Sequence, residues 1–345
     1  MSSIGSISLP SLTLQRPRLA LAISPDERTT FLNRHLDRLN AATEVVDVSA
    51  GRDSMIQRLH EQAPEILISA WSTPWLEPLL AKPGCRLKYI CHLTGSVRSV
   101  VPRTFLEKGG RVTNWGTLPN PAVAEHALLL ALAVLRNLPG WGPLVAAPRT
   151  ISATRALRTQ TLCGRRIGIH GFGGVSQALV RLLKPFTGSI ACYSAGVPAE
   201  FIRSHGVESA RSLSDLCSQS EVFFECEALT PATRRSISAC ELARLPDDAV
   251  FVNVARGDLV DEEALIREAD SGRIRVALDV ITAEPLTAQS SVSGIKGAVL
   301  SPHIAGPTLD QYAQVGELAV ANLERYVAGL ALQAEVTLEI YDRST

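Results

Sequence analysis

Three polar side chains that could act together on a substrate follow apolar runs in the second half of the chain. Arg256 ends the run in FVNVARGDLV, Glu284 follows the run in VALDVITAEPL, and His303 lies in LSPHIAGPT. An arginine can hold a carboxylate through two hydrogen bonds and polarise a carbonyl group. A histidine can deliver a proton near neutral pH, and a carboxylate beside it favours the imidazolium form and fixes the ring. These are the groups that hydride transfer to a 2-keto acid requires.

Each of the three residues also has a simpler interpretation when it is taken alone. The arginine could be a surface ion-pair partner, the glutamate a turn carboxylate before Pro285, and the histidine a hydrogen-bonded loop residue. In doubly wound sheets, however, ligands bind beyond the carboxyl ends of the strands. Because all three residues follow strand-like runs, their joint placement favours a catalytic site.

A glycine turn lies upstream of these residues, in RIGIHGFGGVS at residues 166–176. Gly171 permits a tight turn after an apolar strand, and Gly173 lets the backbone approach a pyrophosphate. A helix that begins near Val175 would point its N–H groups at the phosphates. Ser176 stands where a third glycine is usual, and the motif alone is also compatible with a purely structural turn. The six strand-like runs of this half of the chain favour dinucleotide binding.

The residue expected at the adenosine ribose is Ser194, at the end of the second strand in CYSAGVP. The dinucleotide fingerprint usually has an acidic residue about 20 positions after the glycines. A serine can bond a ribose hydroxyl without repelling a 2′-phosphate, and no basic residue follows it before Arg203. We therefore expect relaxed choice between NAD and NADP.

Composition restricts the class of protein. The 345 residues include 34 basic and 34 acidic side chains, and 46% are apolar. Such a chain can bury a full core, and it lacks the basic excess of a nucleic-acid binder. The seven cysteines include no CxxC pair, so we expect free thiols in a reducing compartment and no metal site. The longest apolar run is too short to span a bilayer, and we expect a cytoplasmic protein without membrane contact.

Apolar runs alternate with amphipathic stretches in two series, which is typical of parallel sheets covered by helices. The strand-like runs of the first series are RLALAI (18–23), EVVDV (44–48), EILISAW (65–71), LKYICHL (87–93) and RVTNWG (111–116). Those of the second series are RIGIH (166–170), SIACYS (189–194), EVFFEC (221–226), AVFVNVA (249–255), IRVALDV (274–280) and AVLSPH (298–303). The second series matches a doubly wound sheet.

The predicted fold class is therefore α/β, with two doubly wound parallel-sheet domains. A Rossmann NAD(P)-binding domain, residues 120–305, is expected to be inserted into a flavodoxin-like substrate domain, residues 18–119 and 306–345. Residues 1–17 are expected to form a loose N-terminal tail.

Three further segments carry expectations of their own. A helix over residues 120–138, capped by Asn120 and apolar nearly all round, should be buried. The Pro- and Gly-containing segment 139–161 should cross the surface irregularly. Residues 308–330 should form one more helix.

Several stretches together resemble the D-isomer-specific 2-hydroxyacid dehydrogenases. The matching segments, which keep the family's order between about residues 65 and 325, are NPAVAEHALLLALAVLRN, GRRIGIHGFGGVS, LTPATRRSI, VFVNVARGDLVDEEAL, VALDVITAEPL and SPHIAGPT. The last four together are highly specific. The resemblance implies a substrate domain that flanks an inserted Rossmann domain, and NAD or NADP as cofactor. It also implies a homodimer to which the helix after Asn120 contributes.

The resemblance implies roles for individual residues as well. Arg256 would orient the substrate, Glu284 would be the carboxylate behind the histidine, and His303 would be the acid–base group. The cofactor-binding residues that it implies are Gly171, Gly173, Gly174 and Val175 at the pyrophosphate, Ser194 at the ribose, Thr230 and Ala255 along the cofactor, and Asp279 at the nicotinamide amide. The implied substrate loop is Thr94, Gly95 and Ser96, which would offer backbone N–H groups to a carboxylate, with Arg98 close by.

The sequence also departs from the family pattern. Ser176 and Ser194 replace a glycine and an acid, and ECEALT places Cys226 where a histidine is usual and adds the charge of Glu227. The substrate loop reads HLTGSVRSVV rather than a glycine-rich pattern. Its Arg98 could favour a second anionic group on the substrate, or it could be a solvated loop residue.

The favoured function is an oxidoreductase, an NAD(P)-dependent reductase of a small 2-keto acid such as glyoxylate or hydroxypyruvate. One alternative is an NAD(H)-sensing scaffold, a corepressor-like protein of the same fold that has little turnover. The other is a hydrolase that uses NAD internally, against which the EP and SPHIAG signatures argue. Turnover of a 2-keto acid with NADH or NADPH would discriminate between these functions.

Overall fold

The structure is a computed structural model that describes residues 16–49, 51–145 and 150–343. These residues form two compact units. The first contains the described residues up to Asn114 together with Val315–Thr337, and the second contains Trp115–Gln314 together with the described residues from Leu338. Nearly all of the predicted N-terminal tail lies outside the described residues.

The first unit is built on five parallel strands: β1 (Arg18–Ala22), β2 (Glu44–Asp47), β3 (Ile66–Ser69), β4 (Tyr89–His92) and β5 (Arg111–Thr113). Their order in the sheet is β2-β1-β3-β4-β5, which is the order of flavodoxin-like folds. Each strand lies within a run that the sequence predicted. The helices between them are α1 (Pro25–Leu32), α2 (Leu36–Ala42), α3 (Arg52–Gln62), α4 (Glu77–Leu80) and α5 (Arg103–Glu107).

Local sequence explains how this unit forms. Strands β3 and β4 are buried at every residue, as expected for apolar strands at the centre of a parallel sheet. Helix α1 begins with a capping box, because the Ser24 hydroxyl accepts the N–H of Glu27 and the Glu27 carboxylate accepts the N–H of Ser24.

The second unit is built on seven parallel strands: β6 (Ile167–His170), β7 (Ile190–Tyr193), β8 (Glu208–Ser209), β9 (Val222–Glu225), β10 (Val250–Asn253), β11 (Arg275–Leu278) and β12 (Val299–Leu300). Their order is β12-β11-β10-β9-β6-β7-β8, which contains the Rossmann order with one added strand at the edge. The predicted α/β class with two doubly wound sheets is confirmed. The sequence did not predict β8, because two residues at a sheet edge give no periodic signal.

The helices that begin in this unit are α6 (Asn120–Leu135), α7 (Trp141–Val145), α8 (Ile151–Ala156), α9 (Gly174–Leu183), α10 (Ala199–Ser204), α11 (Leu213–Gln219), α12 (Ala239–Arg244), α13 (Glu262–Asp270), α14 (Leu309–Val327) and α15 (Leu338–Arg343). Short 3-10 helices occupy Leu138–Gly140, Gly257–Leu259 and Ser291–Gly294. Helix α14 confirms the helix expected over 308–330, and the boundary between the two units falls within it.

Three local expectations were wrong. Asn120 is not the cap of α6, because Pro119 holds the N-cap position and makes no side-chain cap bond. Helix α6 packs against α9 and β10, but it is not buried all round, since Leu129 is 56% exposed. The segment 139–161 is not wholly irregular, because α7 and α8 form within it.

Candidate active site

The loop that carries Arg256 is fixed by the last residue of β10. Asn253 is buried, its Nδ2 donates to the carbonyl of Arg256 at 2.9 Å, and its Oδ1 accepts the N–H of Ala255 at 2.9 Å. An amide at a strand end can bond a donor and an acceptor together. Asn253 therefore holds the backbone that presents Arg256. A polar residue in an apolar strand was the one indication of this role in the sequence.

Gly257 brings this loop against the loop that follows β11. A Cβ atom at Gly257 would lie 2.0 Å from the carbonyl carbon of Ile281 and 2.3 Å from the nitrogen of Thr282. Glu262 secures the second loop, since its carboxylate accepts the N–H of Thr282 at 2.8 Å. Only glycine allows this approach, which places Arg256 near the segment that ends at Glu284.

His303 and Glu284 form a direct hydrogen bond. Nδ1 of His303 lies 2.7 Å from Oε2 of Glu284, and both side chains are partly exposed. Arg256 is half-buried near this pair. Burial lowers its pKa, and the charge of Glu284 opposes that shift. The structure thus brings the three predicted catalytic side chains into one neighbourhood of the second unit.

Asp279 holds the loop that carries His303. It is only 2% exposed, and its carboxylate accepts the Ser301 hydroxyl at 2.6 Å and the N–H groups of Ile304 and Ala305 at 2.9 and 3.0 Å. Burial raises the pKa of Asp279, but these bonds and one from His126 outweigh it, so the net shift is downward. Asp279 is therefore a buried, ionised anchor.

His126 extends this network from helix α6. Its Nε2 lies 2.8 Å from the Ser301 hydroxyl and 3.4 Å from Oδ1 of Asp279. The sequence did not single out His126 or Ser301. The contact with the nicotinamide amide that the resemblance assigned to Asp279 stays a prediction, and the contacts observed here add a positioning role.

The glycine turn lies at the end of β6. Gly171 has a φ of +91°, and a Cβ atom there would lie 2.6 Å from the backbone of Glu227, so this position requires glycine. Gly173 caps helix α9, and a Cβ atom there would meet nothing within 4 Å. Gly173 and Gly174 are exposed and Val175 is half-buried. The first turn of α9 is open to a ligand.

Ser176 fills the position of the third glycine without closing the turn. It is fully buried and lies beside the thiol of Cys226, on whose pKa it has a lowering effect that is smaller than the effect of burial. Burial raises the pKa of Cys226, so this thiol is neutral at physiological pH. A small side chain is enough here for α9 to pack against the sheet.

Ser194 lies at the end of β7, but it is not alone there. Its hydroxyl donates to Oε2 of Glu227 at 2.7 Å, and both residues are buried. The premise that this strand end carries no acid is therefore wrong, because Glu227 reaches it from the segment after β9. The charge of Glu227 is evident from the sequence, but its position beside Ser194 is not.

A second buried pair lies behind this contact. Nδ1 of His170 is 2.7 Å from Oε2 of Glu225, and Oε1 of Glu225 accepts the N–H of Glu227 at 2.9 Å. Burial lowers the pKa of His170, but the charge of Glu225, its hydrogen bond and the charge of Glu227 outweigh burial and raise it. The sequence indicates this buried pair only through the glutamate that ends the apolar strand VFFE.

The remaining predicted cofactor residues lie on loops at the same carboxyl edge of the sheet. Thr230 lies in a compact turn, where its N–H and hydroxyl both bond the hydroxyl of Thr233. Ala255 follows β10 and is half-buried. Their contacts with a cofactor stay predictions.

The predicted substrate loop belongs to the first unit. Thr94 is buried and its hydroxyl lies 2.5 Å from Nε2 of His92. The carbonyl of Gly95 accepts Nδ2 of Asn114 at 2.6 Å, the Ser96 hydroxyl lies 3.4 Å from the N–H of Arg98, and Arg98 is exposed. Burial lowers the pKa of His92 to about 4, so this loop rests on a neutral imidazole.

The residues of the second unit fit a dinucleotide. A strand, a glycine turn with open space at Gly173 and an exposed helix N-terminus form a cradle for a pyrophosphate. Among the described residues, no group of His, Cys, Asp and Glu side chains is arranged to hold a metal ion. No helix within the described ranges is long and apolar enough to cross a membrane.

Comparison with known proteins also indicates a dinucleotide-binding domain in the second half of the chain. Residues 128–305, just over half of the chain, match the family model described as the NAD-binding domain of D-isomer specific 2-hydroxyacid dehydrogenases. The chain is 27% identical to the D-3-phosphoglycerate dehydrogenase of Methanocaldococcus jannaschii over 86% of its own length and 56% of that protein. It therefore spans little more than half of that relative.

Two other similar proteins are covered over most of their length. The mouse protein named glyoxylate reductase/hydroxypyruvate reductase is 28% identical over 75% of this chain and 80% of its own. The crystal structure of a glyoxylate reductase from Paecilomyes thermophila superimposes with a TM-score of 0.76 and 25% identity, over 93% of this chain and 98% of that one. The match to the family model and the order of the strands lead to one conclusion: this chain belongs to the D-isomer-specific 2-hydroxyacid dehydrogenase family.

Proposed function

We propose that the chain is an NAD(P)-dependent reductase that interconverts a small 2-keto acid and its D-2-hydroxy acid. The observation that carries the proposal is the 2.7 Å hydrogen bond between Nδ1 of His303 and Oε2 of Glu284. Arg256 lies close enough to Glu284 for the charge of that carboxylate to act on the pKa of the guanidinium group. This arrangement supplies an acid–base group, a carboxylate that orients it and a cation for the substrate.

In the proposed reduction, His303 gives a proton from Nε2 to the carbonyl oxygen of the keto acid as that oxygen becomes a hydroxyl. The carbonyl carbon would receive its hydride from a reduced nicotinamide held by the residues of the glycine turn. Nδ1 stays bonded to Glu284, which fixes the orientation of the ring. Arg256 holds the substrate carboxylate through its planar guanidinium group and draws charge toward the carbonyl oxygen.

The residues proposed to hold the cofactor are Gly171, Gly173, Gly174, Val175, Ser194, Thr230, Ala255 and Asp279. Gly173→Ala tests this assignment, because the added methyl group meets no protein atom within 4 Å but would occupy the path of a pyrophosphate. We expect unchanged thermal stability and weaker binding of both NADH and NADPH, measured by nicotinamide fluorescence. Gly188→Ala, where a Cβ atom also meets nothing within 4 Å, is the matched control.

A panel of 2-keto acids, each tested with NADH and with NADPH, examines the reaction itself. Glyoxylate, hydroxypyruvate and related compounds are the proposed substrates, and we expect saturable oxidation of the reduced nucleotide with at least one of them. Binding of nucleotide without turnover of any keto acid would instead favour the scaffold. Binding of neither nucleotide would exclude both functions.

Arg98 is the proposed contact for a second anionic group on the substrate, and Thr94, Gly95 and Ser96 for its carboxylate. Arg98 is exposed, so its replacement should leave the fold intact. Arg98→Gln should raise KM for keto acids with a second carboxylate or a phosphate and leave KM for glyoxylate unchanged. An equal effect on both classes of substrate would contradict this role.

A homodimer is proposed for the second unit. Helix α6 and the segments after it expose Leu129, Trp141, Val145 and Ile151, which are 56%, 44%, 87% and 75% accessible. Contiguous exposed apolar patches mark interaction surfaces, and we propose that these four side chains contribute to one. Light scattering should give twice the mass of the chain, and Leu129→Glu should shift that mass toward the monomer.

Two broader assignments also remain proposals. We propose residues 120–305 as the cofactor domain and residues 18–119 with 306–345 as the substrate domain. All seven cysteines are free, which is compatible with the proposed cytoplasmic location, since reducing compartments keep thiols unpaired. Imaging of the tagged protein would test that location.

A further inference from the structure

Glu227 places a carboxylate where the second strand of the dinucleotide-binding sheet ends. Its Oε2 accepts the hydroxyl of Ser194 at 2.7 Å, and its Oε1 accepts the N–H of Ala228 at 2.9 Å. The side chain is buried, with 8% of the residue exposed. The carboxylate is thus held in one position by two donors, directly at the residue that the fingerprint assigns to the ribose.

The backbone under Glu227 is fixed as well. Glu225 accepts the N–H of Glu227 at 2.9 Å and is bonded to His170 behind it. The Cα and nitrogen atoms of Glu227 also lie 2.6 Å from the place that a Cβ of Gly171 would take. The carboxylate is therefore positioned from β6, β7 and β9, the three strands around the point where the strand order reverses.

No arginine or lysine within the described ranges forms an ion pair with Glu227 that would neutralise its charge. The ring of His170 interacts with this charge, but that ring is already hydrogen-bonded to Glu225. A ligand that reaches Ser194 therefore meets a negative field.

We infer that Glu227 selects NAD(H) over NADP(H), taking the part of the acid that the end of β7 lacks. This inference rests on the proposed function, since it requires that a nicotinamide dinucleotide binds at the glycine turn. A fixed carboxylate accepts hydrogen bonds from ribose hydroxyls, whereas a 2′-phosphate carries about −1.5 to −2 charges and is repelled. Ser194 fixes the carboxylate by donating a hydrogen bond to it. Ser194 is therefore a positioning residue, and Glu227 is the group that selects between the cofactors.

The test measures dissociation constants of NADH and NADPH by nicotinamide fluorescence, without keto acid. We expect the wild-type protein to bind NADH more tightly than NADPH by at least about tenfold, the effect of one charge interaction of moderate strength. Glu227→Gln keeps an acceptor for Ser194 and removes the charge, so the ratio of the two constants should fall by about tenfold. Ser194→Ala keeps the charge and should retain most of the preference.

Glu221→Gln is the matched control. Glu221 immediately precedes the first residue of β9, at the end of the strand opposite to Glu227, and its carboxylate bonds Arg165 and the backbone N–H of Arg166. Its replacement removes one negative charge beside the same strand, but at the end away from the glycine turn, and should leave the ratio unchanged. Thermal melting of each variant reports whether it folds.

The outcomes separate this inference from the proposed function. A wild-type protein that binds both nucleotides equally, or an unchanged ratio in Glu227→Gln, overturns the role of Glu227 and leaves dinucleotide binding intact. Failure of the wild-type protein to bind either nucleotide overturns the proposed function together with this inference. If Glu227→Gln does not fold, the wild-type protein decides. The ratio of its NADPH to NADH dissociation constants should fall between 20 and 500 mM salt, because the screening length drops from ~20 Å to ~4 Å and ions screen the repulsion. A constant ratio contradicts the inference.

Discussion

Nδ1 of His303 lies 2.7 Å from Oε2 of Glu284 although the two residues lie on different loops. The loop of His303 is tied to Asp279 by backbone and side-chain bonds, including one from the N–H of His303 to the carbonyl of Asp279 at 2.8 Å. The loop of Glu284 is tied to Glu262. The pair is therefore held by two anchors that can be altered without touching either partner.

His303→Gln should abolish most turnover and leave nucleotide binding within about twofold of the wild-type value. Loss of an acid–base group typically costs ~10²–10⁴-fold in rate, and glutamine cannot supply the proton. Steady-state kinetics with the best keto acid of the panel measure this. Glu284→Gln keeps an acceptor for Nδ1, so its loss of kcat should be smaller; full activity in His303→Gln would remove this residue from the mechanism.

Arg256→Lys should raise KM for the keto acid and lower kcat, although it keeps the charge. Lysine cannot form the two parallel bonds of a guanidinium group, and a lost charge-assisted bond of about 1.5–3 kcal/mol corresponds to roughly 10–100-fold. The KM for NADH should stay unchanged. If only the melting temperature changed, Arg256 would have a structural role alone.

Gly257→Ala should destabilise the second unit and impair turnover together. The new methyl group would lie 2.0 Å from the backbone of Ile281, and overpacking of this kind costs about 1–3 kcal/mol. Gly188→Ala adds a methyl group into open space and should change the free energy of unfolding by less than about 0.5 kcal/mol. Equal stability of the two variants in urea unfolding would show that the two loops do not need this contact.

His92 should make the first unit sensitive to acid. Burial lowers the pKa of His92 to about 4 in the folded chain, whereas an unfolded histidine titrates near ~6.5. Between these values the unfolded chain binds a proton that the folded chain does not, so stability is lost as pH falls through that window. The free energy of unfolding should fall by on the order of 3 kcal/mol more in the wild-type protein than in His92→Gln between pH 8 and pH 4. Urea unfolding at both pH values measures it, and parallel losses would mean that His92 does not contribute.

The strands, and the proximity of the three candidate catalytic side chains, could be predicted from the sequence because both depend on short local patterns. Apolar runs such as VFFE and FVN specify buried strands, and parallel strands leave their carboxyl ends at one edge. Arg256, Glu284 and His303 each follow such a run. Their proximity then follows from the order of the strands.

Contacts between distant segments could not be predicted in the same way. Glu227 meets Ser194 because β9, β6 and β7 are consecutive in the sheet, which brings the segments after β7 and β9 together at one edge. No local pattern in the sequence indicates the direction of the Glu227 side chain. The close approach of Gly257 to Ile281 depends on another loop, so the residues around Gly257 do not indicate it. The helices α7 and α8 were missed because Pro and Gly residues are frequent in their segment.

The bonds to Asp279 have a consequence for the motions of the free protein. Ile304 is 59% exposed, yet its N–H is bonded to the buried carboxylate of Asp279, as is the N–H of Ala305. These amides should exchange slowly with deuterium before any nucleotide is added, since opening them would leave a buried charge without donors. Most of the ordering of the loop around His303 would then be complete before a ligand arrives, and nucleotide binding should slow exchange at Gly173 and Val175 more than at Ile304.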